Sequence, residues 1–235
     1  MATYKRVLLK LSGEYLGGKI GHGYDPKTVD SLAEKIKKIH EMGLEIGIVP
    51  GGGNFFRGAQ GASFPMDRVK GDQIGMLATM MNALYLAEAL KAKGVKTQVM
   101  AGIRVPQAAD DFSKVQALKY FKDGQVVIFG GGTGNPYFST DTAAVLRGLE
   151  IDAEIVIKGT KVDGVYDKDP MKHDDAVKYT NLTFSEVLAQ DLKVMDQAAI
   201  ALAKENNLAI GVVDLTSDDG LLDFLKGKEI GTKVG

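Results

Sequence analysis

The chain has no cysteine and only three histidines in 235 residues. The missing thiols exclude disulfides, thiolate nucleophiles and cysteine-based zinc sites, and they fit a reducing compartment. His22, His40 and His173 share no metal-ligand spacing, and none is expected to act as a general base. His40 falls near a helix C-terminus, where a cation is mildly favourable. Long hydrophobic runs are also missing: none approaches the roughly 20 residues of a membrane-spanning helix. The N-terminal residues pass directly into a strand-like run, so no signal peptide is expected. Lys and Arg number 29 against 30 Asp and Glu, a net charge of -1. The basic footprint of a nucleic-acid binder is therefore absent from the chain as a whole. A small anionic ligand remains open, since it needs only local positive groups.

What is present is apolar material in short, punctuated pieces. Apolar residues make up 45% of the chain, enough for a sizeable core. Strands are expected at Arg6–Leu11, Glu45–Pro50, Lys96–Met100, Gln125–Phe129, Ala153–Lys158 and Leu208–Leu215. They are Val- and Ile-rich runs rather than alternations, which suits parallel strands covered on both faces. A helix is expected to open at Asp25-Pro26, with Asp as cap and Pro in the first turn, and to end at Gly43. A longer helix is expected over Asp72–Lys93, with Ile74, Leu77, Ala78, Met81, Leu84 and Tyr85 at core spacing. Shorter helices are expected near Ser113–Phe121, Asp141–Leu149, Ser185–Asp191, Met195–Asn206 and Ser217–Leu225. This alternation predicts an α/β fold with a mostly parallel sheet. Residues 1–235 read as a single domain, with any division near Gly148–Glu154.

Three expected strands run into glycine clusters: Lys10-Leu-Ser-Gly13, Pro50-Gly-Gly-Gly-Asn54 and Gly130-Gly-Gly-Thr-Gly-Asn-Pro136. Ligands of open α/β sheets bind at the carboxyl ends of strands. Glycine there lets backbone N–H groups approach an anion. One such cluster is as readily an ordinary turn; three at equivalent strand ends point to phosphate. Gly13 to Lys19 also fits the G-x-x-x-x-G-K spacing of a P-loop. Ile20 stands where that motif needs Ser or Thr, and no helix is expected to open at Lys19, so this reading is set aside. No strand is followed by the dinucleotide-binding G-x-G-x-x-G.

Six segments extend the pattern: Lys10-Leu-Ser-Gly-Glu14, Gly51-Gly-Gly-Asn-Phe-Phe-Arg57, Gly71–Thr79, Gly132–Asp141, Lys158–Tyr166 with Asp169-Pro170, and Lys193-Val-Met-Asp196. Together they resemble the amino-acid-kinase superfamily and, within it, the bacterial uridylate kinase family. The resemblance covers essentially the whole chain. It implies the carbamate-kinase-like three-layer sandwich around a mostly parallel sheet. It also implies an acceptor-binding part over about residues 1–150 and an ATP-binding part over about 151–235. The implied activity is transfer of a phosphoryl group from ATP, with Mg2+ on its phosphates, to UMP. Cytoplasmic localisation, a homohexamer, activation by GTP and inhibition by UTP come with it; nucleic acid and membrane do not.

The resemblance also distributes roles. Lys10, Leu11, Ser12, Gly13, Gly53, Arg57, Thr160, Tyr166 and Asp169 are implied for ATP. Gly52, Asp72, Thr133, Gly134, Asn135, Pro136, Tyr137, Phe138, Ser139 and Thr140 are implied for UMP. Lys10, Asp141, Lys161 and Asp196 form the expected catalytic set, and Gly18, Lys19, Ile20, Gly21, His22 and Gly23 match an effector region. Each role has a plainer alternative. Lys10 could snorkel from a strand end. Asp72, Asp141 and Asp196 could be helix caps. Arg57 could lie on the surface, Asp169-Pro170 could be a turn, and Gly18–Gly23 a flexible loop. Either Lys158 or Lys161 is expected to assist transfer, and spacing does not choose between them. No protein residue is expected to bind metal directly. The Met76, Met80 and Met81 group reads as core or subunit interface, and the long helix as the natural interface between copies.

Overall fold

A computed structural model describes residues 3–58 and 64–235. In the first part of the chain β1 (Arg6–Leu11), α1 (Gly13–Leu16), α2 (Pro26–Glu41), β2 (Glu45–Pro50) and α3 (Arg68–Ala92) follow one another. Then come β3 (Thr97–Ala101), β4 (Asp110–Asp111), α4 (Lys114–Lys122), β5 (Val126–Gly130) and α5 (Thr140–Glu150). The last part holds β6 (Ile155–Thr160), β7 (Val165–Tyr166), β8 (Lys178–Tyr179), β9 (Asn181–Leu182) and α6 (Phe184–Ala189). It closes with α7 (Gln197–Glu205), β10 (Ala209–Asp214), α8 (Gly220–Leu225) and β11 (Thr232–Val234).

Nine strands form one sheet in the order β4-β3-β5-β2-β1-β6-β10-β11-β9, and β7 pairs with β8 in a separate ribbon. All neighbours in the main sheet are parallel except β10 and β11. Helices cover both faces, as the unbroken apolar runs require. Val7, Leu9 and Leu11 of β1 enter the core under α2, α3 and α8. Leu8 enters the core under α5 and α7. The same alternation divides β5 and β6, so Lys10 and Lys158 both emerge on the α5 side.

The expected helix at Asp25-Pro26 is present, with the Asp25 carboxylate accepting from Lys27 N–H at 3.0 Å. The strands end one or two residues later than expected in three cases, because β3, β5 and β6 continue toward the turns that follow them. The long helix differs more. Asp67 caps it, accepting from Lys70 N–H, so α3 begins a turn before Asp72. Ile74, Leu77, Met81 and Tyr85, expected in the core, are exposed by 40, 50, 48 and 37%. Ala78 is buried as expected and Leu84 packs partly buried against the core, while Thr79, Met80, Ala83, Leu86 and Leu90 take the remaining buried places. The helix is apolar on more than one side, so its periodicity has no unique phase. Close approach of two strand-end glycines decides it: a Cβ on Gly52 would lie 3.0 Å from the Ala78 side chain, and one on Gly130 2.4 Å from Met80 Sδ.

Candidate active site

Because β5, β2, β1 and β6 are adjacent, the glycine turns that follow β1, β2 and β5 converge on one edge of the sheet. Gly51 N–H donates to Leu11 C=O at 2.7 Å and joins the first two turns. A Cβ on Gly13 would meet Asn54 Oδ1 at 2.6 Å and Gly51 O and Gly53 N at 2.7 Å. Only glycine allows that approach. Ser12 and Gly13 lead into the short α1, which the sequence reading lacked. Residues 17–23 form turns and bends, and no helix opens at Lys19, so the P-loop spacing has no P-loop architecture behind it.

Strand register sets the charge cluster. Lys10 pairs with Lys158 across β1 and β6, which brings two ammonium groups to the start of α5. Asp141 lies between them, with Oδ1 2.7 Å from Lys10 Nζ and Oδ2 3.2 Å from Lys158 Nζ. Lys158 also donates to Val194 C=O at 2.5 Å. Burial pushes the Asp141 carboxyl up, but Lys10 and Lys158 outweigh it and hold the group below the usual carboxylate range. Burial pushes Lys158 below the usual lysine range, and the Asp141 charge opposes that shift only in part. Two cations around one carboxylate leave a surplus positive charge in a largely buried place. Such a surplus suits a phosphate better than it suits the protein alone.

Asp141 is not the cap of α5. Ser139 fills that position and accepts from the N–H groups of Asp141 and Thr142. Asp196 does cap a helix: its carboxylate accepts from Ala199 N–H at 2.8 Å at the start of α7. It also accepts from the hydroxyls of Thr142, at 3.0 Å, and Ser139, and so ties α5 to α7.

Beside the cluster is a cleft of about 680 Å³ between α3 and the turn after β5. Gly52, Arg57, Asp72, Asn135, Tyr137, Phe138, Ser139, Thr140 and Asp196 line it, which gathers much of the expected acceptor set. Asp72 sits inside α3, not at its cap. It accepts from Tyr137 N–H at 2.7 Å and from Arg68 Nε at 2.9 Å. Tyr137 has φ +72°, a costly conformation for a residue with a side chain. Arg68 also lies 5.3 Å from the Tyr137 ring centre. Thr133 Oγ1 accepts from Asn135 N–H and shapes the turn at Gly134, just before Pro136. Arg57 is exposed and 3.4 Å from Glu14 Oε1.

Other expected residues lie apart from this cleft. Lys161 is exposed and borders a second cleft of about 740 Å³ together with Gly18, Lys19, Lys35 and Asp218. It is Lys158 that meets Lys10 and Asp141. Thr160, Tyr166 and Asp169 lie on the β6–β8 segment. Thr160 Oγ1 accepts from Val162 N–H, Tyr166 donates to Asp163 at 2.6 Å, and Asp169 accepts from Met171 N–H. Ile20 is exposed, while Gly23 exchanges hydrogen bonds with Asn54. Glu14, Asn54 and Thr79 fall in motif segments of the sequence but carry no role there, and Arg68 and Asn82 fall outside those segments. For Thr79 and Asn82 a signal existed: they are polar residues inside an apolar stretch of helix.

A mostly parallel sheet with glycine turns, two lysines and a shared carboxylate at its carboxyl edge defines a phosphate-handling α/β protein. The model of the Amino acid kinase family matches residues 5–214, and the chain belongs to that family. It is 51% identical to the uridylate kinase of Bacteroides thetaiotaomicron, covering 100% of this chain and 99% of that one. It is 47% identical to the uridylate kinase of Xanthomonas oryzae pv. oryzae, covering 99% of this chain and 97% of the relative. Among solved structures, the UMP kinase of Bacillus anthracis superposes with TM-score 0.95 at 36% identity, over 99% of this chain and 96% of the other. The uridylate kinase of Archaeoglobus fulgidus superposes with TM-score 0.72 at 26% identity, over the whole of both chains.

Proposed function

We propose that this chain transfers the terminal phosphoryl group of ATP to UMP, forming ADP and UDP in pyrimidine nucleotide synthesis. The observation that carries the chemistry is the Lys10–Asp141–Lys158 cluster, with its surplus positive charge where three glycine turns meet. The acceptor is a phosphate oxygen, already nucleophilic at neutral pH, so no general base is needed. In-line transfer then rests on positioning and charge neutralisation. Lys10 and the N–H groups of Gly13 and Gly53 face the transferring group, and Arg57 clamps phosphate oxygens. Asp141 keeps the lysines in place. Lys158 is the second cation by geometry and Lys161 by resemblance; the variant Lys158→Met or Lys161→Met with the larger loss of turnover identifies it.

The 680 Å³ cleft is the proposed UMP site. Asp72 retains acceptor capacity for ribose hydroxyls, since a carboxylate offers about four lone-pair sites. Tyr137 and Phe138 line the cleft as well and bring aromatic surface to the site. Thr160, Tyr166 and Asp169 are assigned to adenosine. Residues 1–235 act as one domain in this reading, with the acceptor held mainly by the part before about 150. Magnesium enters on the ATP phosphates and neutralises charge there. No group of three or more acidic, histidine or cysteine side chains converges for a metal among the described residues. Asp141 and Asp196 already hold lysines, hydroxyls and a helix end, which leaves them to orient rather than to cage an ion.

The proposal extends to a cytoplasmic homohexamer with GTP as activator and UTP as inhibitor, acting through the Gly18–Gly23 region. The exposed Leu77, Met81 and Tyr85 on α3 support self-association through that helix. No helix among the described residues is long and apolar enough to cross a membrane. Coupled measurement of ADP release with a panel of nucleoside monophosphates, carbamate and amino acids tests the acceptor. Turnover is expected with UMP; turnover with carbamate or an amino acid instead would overturn the assignment.

A further inference from the structure

We infer that Thr79 and Asn82 are positioning residues, a buried polar pair on α3 that holds two glycine turns of the site in register. The inference rests on the proposed UMP kinase reading for its kinetic consequence. The two residues are three apart and therefore share one side of the helix. They are exposed by 2% and 0%. Thr79 Oγ1 accepts from Gly131 N–H at 2.8 Å and donates to Met76 C=O at 2.7 Å. Asn82 Nδ2 donates to Gly51 C=O at 2.6 Å and to Asn54 Oδ1 at 2.7 Å, while Asn54 Nδ2 returns a bond at 3.1 Å. One helix face thus grips the turn after β2 and the turn after β5.

Packing closes the same arrangement. Gly52 and Gly130 press closely on α3: a Cβ on Gly52 would be tight at 3.0 Å from the Ala78 side chain and Gly75 O, and one on Gly130 would displace Met80 Sδ, so a shift of either turn is resisted by the helix. Buried amides and hydroxyls are costly unless fully paired. A core that needed only volume would be served by leucine and valine at these places. The polar pair instead fixes where one backbone N–H and one backbone C=O of the turns must lie. Gly52, Thr79 and the loop from Gly132 line the proposed acceptor cleft, so the spacing of the two turns sets where an acceptor phosphate would lie.

Thr79→Val removes the hydroxyl at nearly constant shape, and Thr79→Ser keeps it. Asn82→Leu removes the amide and is a useful second variant where it folds. Three readouts are needed: steady-state kinetics for UMP and ATP, the thermal transition, and amide hydrogen exchange at Gly131 and Gly51–Gly53 without substrate. Thr79→Val is expected to lower kcat/KM for UMP by about tenfold to a hundredfold, the cost of misplacing reacting groups by a fraction of an ångström to an ångström. KM for ATP should stay within about twofold and Thr79→Ser within about threefold of wild type, by the same positioning logic. Exchange at Gly131 should accelerate in Thr79→Val and not in Thr79→Ser. A folded Thr79→Val protein with wild-type kcat/KM overturns the inference, because the bond then serves stability alone. Unchanged exchange at Gly131 overturns it too. Wild-type turnover of UMP tests the functional reading separately, and the exchange comparison stands whatever the acceptor.

Discussion

Asp141 is shared by the buried Lys10 and the partly buried Lys158, so removing it and removing Lys10 should have opposite logic. Asp141→Asn leaves Lys10 and Lys158 facing each other in a site where side-chain exposure is 11% and 23%. Without the carboxylate the two ammonium groups repel across neighbouring strands, by on the order of a few kcal/mol at an effective dielectric of about 20. Stripping the partner from buried charges costs about 3–5 kcal/mol in comparable cases. Lys10→Met leaves Asp141 paired with Lys158 at 3.2 Å, so its cost to stability should be only about 1–2 kcal/mol. Its cost to turnover should nevertheless be large, about 10²–10³-fold, as for loss of one preorganised transition-state donor. The double variant restores charge balance and should be more stable than Asp141→Asn alone by about 1–3 kcal/mol. Urea unfolding at pH 7 measures this directly as a change in midpoint at constant slope. Equal destabilisation by the two single variants, or no recovery in the double, would refute the view that the cluster is held by charge rather than by packing.

The same cluster sets a pH dependence. The folded pKa of Asp141 lies below its unfolded value, so its stabilisation is complete above about pH 4 and is lost as pH falls through the folded value. The wild-type advantage over Asp141→Asn should shrink in acid, which urea titrations at stepped pH will show. Lys158 is shifted down, so between its folded value and about pH 10.4 the unfolded chain binds more protons and stability gains with rising pH from this group. Asp72→Asn should raise KM for UMP about tenfold while KM for ATP changes little, since the carboxylate also holds Tyr137 N–H, a charge-assisted bond; equal effects on both substrates would assign Asp72 to structure. Gly134→Ala places a Cβ 2.2 Å from Gly102 O at φ +83°, and should destabilise by about 2 kcal/mol or more and weaken UMP binding measured by calorimetry. Met81→Lys puts a charge on the exposed side of α3 and should reduce the sedimentation coefficient if copies associate there, whereas an unchanged coefficient would remove α3 from the interface.

Local chemistry carried much of this molecule. The Val- and Ile-rich runs specified buried parallel strands because no face was left polar. Asp25 before Pro26 specified a helix start, and the glycines at the ends of β1, β2 and β5 specified where a phosphate could approach backbone N–H groups. Other features could not be read in one dimension. The apolar α3 matched several phases, and only packing on Gly52 and Gly130 selected the face that carries Thr79 and Asn82. Asp67, Ser139 and Asp196 cap α3, α5 and α7, while Asp72 and Asp141 look equally suitable in the sequence and are used otherwise. Spacing left Lys158 and Lys161 equivalent. The pairing of β1 with β6 placed Lys158 opposite Lys10, and the helix start placed Asp141 between them. Residue type and local order thus determined that this chain would make glycine-lined strand ends with lysines nearby. Which charges meet there was decided by register and packing, because hydrogen bonding between strands distant in the chain sets distances that no local spacing contains.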